Sequence, residues 1–124
     1  VVYTDYIINK FDLYNKIELK HSYDAKLLKT NCIVHSGELI RKTFLQDVLL
    51  ENGDIYNTKL HGPASEGFIG CTEDYDLWLR LSTKCMFVHI PEILSLVNET
   101  GQNQSLKMNS EIFNNNMRII YGEK

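Results

Sequence analysis

Along the chain, apolar positions first crowd together, then alternate weakly, then recur at helical spacing. Val1-Val2-Tyr3-Thr4-Asp5-Tyr6-Ile7-Ile8 is dense in β-branched and aromatic residues and bounded by Asn9-Lys10, which predicts a strand buried on both faces. Residues 10–29 alternate only weakly, Ile17 and Leu19 against Glu18 and Lys20, and predict a loop carrying one short strand. Cys32-Ile33-Val34-His35 predicts another short strand. Leu39, Ile40, Phe44, Leu45, Val48 and Leu49 then recur at three- and four-residue spacing, predicting a helix over 37–51 with Ser36 as its N-cap and Asn52-Gly53 as its stop. The segment 53–71 carries Gly53, Gly62, Gly67, Gly70 and Pro63 without periodicity, so a long loop is expected.

Thr72 opens a second predicted helix, with Glu73 and Asp74 in its first turn, where the helix dipole favours negative charge. Leu77, Trp78, Leu81 and Cys85 form its apolar face, and Asp76 and Arg80 make an i,i+4 pair. Met86 to Ile90 predicts a strand ended by Pro91, and Ile93 to Val97 a further one. After a turn at 98–104, a last helix is expected over 108–121, weakened by Asn114-Asn115-Asn116. Strands and helices alternate, so the class is α/β or α+β, with a small mixed sheet packed with about three helices.

Composition narrows the functional classes. The 124 residues, 44% hydrophobic and 23% charged, suit one globular domain spanning 1–124. A net charge of −3, with no Lys/Arg cluster longer than Arg41-Lys42, argues against a dedicated nucleic-acid binder and disfavours a polybasic membrane surface. No apolar run approaches the roughly 20 residues that span a bilayer, so no membrane insertion is expected. Cys32, Cys71 and Cys85 lack any C-x-x-C spacing and read as reduced thiols, pointing to a cytoplasmic protein. The chain opens at Val1-Val2 inside a predicted strand, as a fragment of a longer polypeptide would.

The most informative run is Thr72-Glu73-Asp74-Tyr75-Asp76-Leu77-Trp78-Leu79-Arg80-Leu81. It resembles the acidic-pair helix of family 2 glycosyltransferases of the GT-A fold. Three further segments resemble that family in the same order: Val2-Tyr3-Thr4-Asp5-Tyr6, Ser36-Gly37-Glu38-Leu39-Ile40-Arg41-Lys42, and Ile90-Pro91-Glu92-Ile93-Leu94. The resemblance covers essentially the whole chain. It implies the C-terminal, acceptor-side half of a GT-A (nucleotide-diphospho-sugar transferase-like) fold, with the nucleotide-binding half upstream.

The implied activity is inverting transfer of a sugar from a nucleotide-sugar donor to an acceptor hydroxyl, on a glycan or another molecule. Carried over by position, the general base is Asp74, with Glu73 supporting it. The helix dipole should lower the Asp74 pKa and keep it ionised. Trp78, His35, Ser36 and Gly37 are the acceptor-binding candidates, although a Trp between Leu77 and Leu81 is more often core and His35 more often structural. A divalent cation, manganese or magnesium, is implied for the complete enzyme. None is expected on this chain alone. The literal D-x-D of Asp74-Tyr75-Asp76 lies on a helix, where residues two apart point about 200° from each other and cannot share an ion. Asp5 is followed by Ile7 where a second acid would be needed, so the metal motif is lacking and the isolated chain is expected to be inactive.

A different class is also open: a non-catalytic glycan- or protein-binding module derived from the same fold. A third expectation is a homo-oligomer formed through an exposed sheet edge, the first strand having lost its upstream neighbours.

Overall fold

A computed structural model describes residues 1–35, 37–62, 70–101 and 110–122, without the side chains of 61, 62, 70, 71, 110 and 112. Eleven short elements follow one another. They are β1 (Val2–Lys10), β2 (Tyr14–Glu18), α1 (Ala25–Leu28), α2 (Lys42–Leu45), 3-10 turns at Gln46–Val48 and Thr58–Leu60, β3 (His61–Gly62), β4 (Gly70–Cys71), α3 (Glu73–Leu81), β5 (Val88–Glu99) and α4 (Ser110–Tyr121). The class is mixed α/β, with a three-stranded mixed sheet of order β2-β1-β5 and four α-helices among the described residues.

The first strand lies in the middle of that sheet, not at an orphaned edge. On one side β1 pairs antiparallel with β2, from Tyr6 opposite Glu18 to Lys10 opposite Tyr14; on the other it runs parallel to β5, from Val2 opposite Val88 to Lys10 opposite Glu99. Among the described residues β2 and β5, not β1, flank the sheet, which corrects the expected route to self-association through the first strand. The β1–β2 connection turns at Phe11 and Asp12, both with positive φ (53° and 57°). Asn9 holds it, accepting the Asp12 N–H and donating to the Asp12 carboxylate, both at 3.1 Å.

Met86–Ile90 and Ile93–Val97 are not two strands. One strand runs through Pro91, and the ladder slips where Thr4 pairs with Ile90 and Asp5 with Ile93. Proline lacks an N–H to give the ladder, and an edge strand with a bulge accommodates it.

The helix predicted over 37–51 shrinks to α2 and one 3-10 turn, 42–48 in all. Its start fails because Gly37 has φ +90° and Leu39 is taken into a β-bridge with Val2, through N–H···O bonds of 2.8 and 2.9 Å. The apolar period was real in part: Ile40, Phe44 and Leu45 lie against the core, and Val48 is buried in it. Among the described residues Cys32–His35 pairs with no strand, but Ile33 and Val34 are buried core residues. Of the predicted 53–71 loop, 58–60 form a 3-10 turn and 61–62 pair with 70–71; 63–69 lie outside the described residues. α1 was not foreseen; Asp24 caps it, accepting the N–H groups of Lys26 and Leu27 at 2.7 and 3.0 Å.

The core gathers Tyr3, Leu28, Ile33, Val34, Val48, Tyr75, Leu77, Trp78, Leu81 and Phe87, with Met117 and Ile120 of α4 packed on it. α3 is its centre. Its 3.6-residue period turns Leu77, Trp78 and Leu81 inward, and burying each apolar side chain contributes roughly 1.5–3 kcal/mol.

Candidate functional site

α3 begins where predicted, at Glu73, with Glu73, Asp74 and Asp76 in its first turn. Thr72 stands at the N-cap position but gives the helix no side-chain cap. Asp74 is half-buried, and its Oδ1 accepts the N–H of Tyr75 at 2.7 Å.

The expected lowering of the Asp74 pKa is reversed. Burial raises it from 3.8 to about 6, the negative charges of Glu73 and Glu38 push the same way, and the Tyr75 N–H only partly offsets them. A dipole of about half a charge, screened in a first turn, is outweighed once a carboxylate loses water and gains acidic neighbours. The result is a carboxylate basic enough to take a proton near neutrality and still mostly ionised at pH 7.

Two residues of this neighbourhood escaped the sequence reading. Glu38 acts on Asp74 from the segment after Gly37, and its only sequence signal was its place in the Ser36-Gly37-Glu38 turn. Tyr56 feels burial first and then the charges of Glu38, Asp74 and Glu73, all of which raise its pKa. Nothing in its sequence context pointed there. The Cys32 thiol is pushed up to about 12 by burial and by the charge of Asp74, so it is an inert thiol.

The four acceptor-binding candidates fare differently. Trp78 is 1% exposed, its ring edge-on to Phe87 at 6.4 Å, and Phe87 stacks in turn on Tyr23 at 4.9 Å. It is a core residue with no face to offer a sugar, so stacking on an acceptor is corrected to packing. His35 donates from Nε2 to the Cys32 carbonyl at 2.7 Å, lies 6.4 Å from the Tyr6 ring, and has its pKa lowered by burial and by Lys20, which is the structural role. Ser36 lies outside the described residues. Gly37 is needed as glycine, because an added Cβ would meet Ser95 Oγ at 2.7 Å and Thr4 Oγ1 at 3.0 Å at a φ of +90°. The next residue, Glu38, is the one whose charge acts on Asp74.

Asp5 is occupied. Its Oδ1 accepts the Lys20 N–H and pairs with His89 Nε2, both at 2.8 Å, and the backbone hydrogen bond from Lys20 is the first cause of its lowered pKa. His89 also stacks on Tyr3 at 5.1 Å. Asp76 is tied to Arg80, whose guanidinium reaches it at 2.8 and 2.9 Å and also donates to the carbonyls of Val48 and Ile55. Among the described residues no group of three or more His, Cys, Asp or Glu side chains could hold a metal ion.

A cleft of about 620 Å³ lies elsewhere, at the C-terminal end of α3 beside Lys29, Leu49, Leu79, Lys84 and Ile120. Asp76 and Arg80, which line it, are engaged with each other. Among the described residues no helix is long and apolar enough to cross a membrane. Compared with known proteins, the chain matches no family model, no curated protein and no solved structure.

Proposed function

We propose that this chain is the acceptor-side part of a family 2-like glycosyltransferase of GT-A fold, with Asp74 as general base. The observation that carries it is the half-buried Asp74 carboxyl at the start of α3, raised to about 6 within the run Thr72–Leu81. Such a carboxylate takes the proton of an acceptor hydroxyl as its oxygen attacks the anomeric carbon. The bond from that carbon to the nucleotide breaks, the nucleoside diphosphate leaves with the electron pair, and the anomeric centre inverts. Glu73 and Glu38 do not act on the substrate; their charges hold the base at working strength. The donor's nucleotide and any divalent cation are assigned to residues outside 1–124. Free Cys32 and Cys85 fit a cytoplasmic setting.

A non-catalytic glycan- or protein-binding module is the second reading. It is favoured by Asp5, an acid on β1, being consumed by His89 and the Lys20 N–H. One comparison separates the two. Full-length protein and its Asp74→Asn variant are assayed for sugar transfer from a panel of nucleotide sugars. A loss of about 10²–10⁴ in rate supports the enzyme. Transfer at an unchanged rate removes Asp74 from the chemistry, and no transfer by either protein favours the module.

A further inference from the structure

Thr72 occupies the N-cap of α3, where a threonine hydroxyl ordinarily accepts the N–H of the second or third helical residue. Here it does not, its backbone standing at φ −115° and ψ 9° rather than extended. The hydroxyl oxygen instead accepts a hydrogen bond from Asn116 Nδ2 at 2.9 Å. Both residues are buried, Asn116 at 2% exposure. Asparagine is a poor helix former and costly to bury, yet it stands near the middle of α4 with its amide aimed at the residue directly before Glu73-Asp74.

The same helix is fixed twice more. Met117 and Ile120 lie against the core, and the Tyr121 hydroxyl donates to the Lys29 carbonyl. Tyr121 also interacts with Tyr75, the residue after Asp74, whose own hydroxyl donates to the Leu28 carbonyl at 2.6 Å. α4 thus reaches α3 on both sides of Asp74 in sequence, at Thr72 and at Tyr75. At the first of these points the Thr72 hydroxyl, instead of capping α3, joins two helices far apart in the chain.

We propose that Asn116 is a positioning residue for the Glu73–Asp74 turn, its hydrogen bond to Thr72 making the seating of α4 a condition for the enclosure of the Asp74 carboxyl. The proposal deepens the glycosyltransferase reading but rests on it only for the purpose of the turn, not for the contact. Asp74 faces Glu73 on its own helix and Glu38, Cys32 and Tyr56 from other segments. With the turn unfastened, water reaches the carboxyl, and burial, the largest influence on it, is relieved.

The test follows the Asp74 carboxyl by NMR titration in the full chain, in wild type and in Asn116→Leu, Thr72→Val and Thr72→Ser. Wild type and Thr72→Ser, which keeps the hydroxyl, are expected to titrate near 6. Asn116→Leu and Thr72→Val are expected to titrate about one pH unit or more lower while the chain stays folded. A purely structural contact would lower melting temperature and leave the midpoint in place, and that result in Asn116→Leu overturns the proposal. Should Asn116→Leu fail to fold, Thr72→Val, which removes only the hydroxyl, decides by the same criterion. A wild-type midpoint in the ordinary carboxylate range overturns it as well. If the midpoints move as expected while Asp74→Asn leaves sugar transfer intact, the positioning role stands and the assignment of the base falls.

Discussion

Replacing Asp74 with Asn deletes an ionisable group at nearly constant volume, and the sign of its effect on stability is fixed by linkage. In the folded chain Asp74 holds its proton up to about pH 6, against an ordinary value of 3.8. Between those values the native state binds more protons than the unfolded state, so stability falls as pH rises through the window and the full cost is present above it. At about 1.36 kcal/mol per pH unit the gap sets an upper bound of about 3 kcal/mol, and partial contact with solvent reduces it to about 1–2 kcal/mol. Asp74→Asn is therefore expected to stabilise the chain by about 1–2 kcal/mol near pH 7.5 and by almost nothing near pH 3.5. Urea unfolding at both pH values, with an unchanged slope, measures the difference. A variant no more stable than wild type near pH 7.5, or equally stabilised at both pH values, would refute the claim that Asp74 sits in an enclosed, acidic neighbourhood. The expected pairing of greater stability with lost transfer activity is the trade-off known from sites built against their own ionisation.

Arg80→Leu removes the guanidinium that serves Asp76, Val48 O and Ile55 O together. The open cleft beside it lets water repair part of the loss, so a cost of about 2–4 kcal/mol in urea unfolding is expected, and less than about 1 kcal/mol would show the network to be ornamental. Gly37→Ala and Gly53→Ala share a left-handed φ, but only the former brings a Cβ into other atoms. Gly53→Ala should cost about 1 kcal/mol for backbone strain alone and Gly37→Ala at least about 1 kcal/mol more, measured by thermal unfolding. Equal costs would mean that the Gly37 segment moves away from Ser95 freely.

Local patterns in the sequence carried the start of α3, because cap position, acidic first turn and apolar period agree there, but they also put Cys85 on its apolar face, whereas α3 ends at Leu81. The same logic overextended α2. Leu39 fits the helical period but is spent on pairing with Val2, a partner no local pattern reveals. Pro91 was read as a stop because sequence does not say which strand lies at an edge. At the site, the Glu73-Asp74 pair was visible from motif and position, but its pKa was judged from the dipole alone. What reverses it, the burial and the nearness of Glu38, comes from tertiary packing. Asn116 looked like a flaw in a helix, and only the folded chain shows its amide meeting the Thr72 hydroxyl.

The parallel pairing of β1 with β5 has a consequence for how the chain acquires its shape. Val2 waits for Val88 and Lys10 for Glu99, so the longest ladder among the described residues joins segments nearly ninety residues apart in the chain. The loop-closure entropy for that ladder falls due before its contacts return anything, which predicts slow folding for a domain of this size. During synthesis the β1–β2 hairpin leaves the ribosome before β5 and lacks that parallel partner until residues near 99 follow. Ile7 and Ile17, opposite each other in that hairpin, are then the surface that a chaperone would first meet.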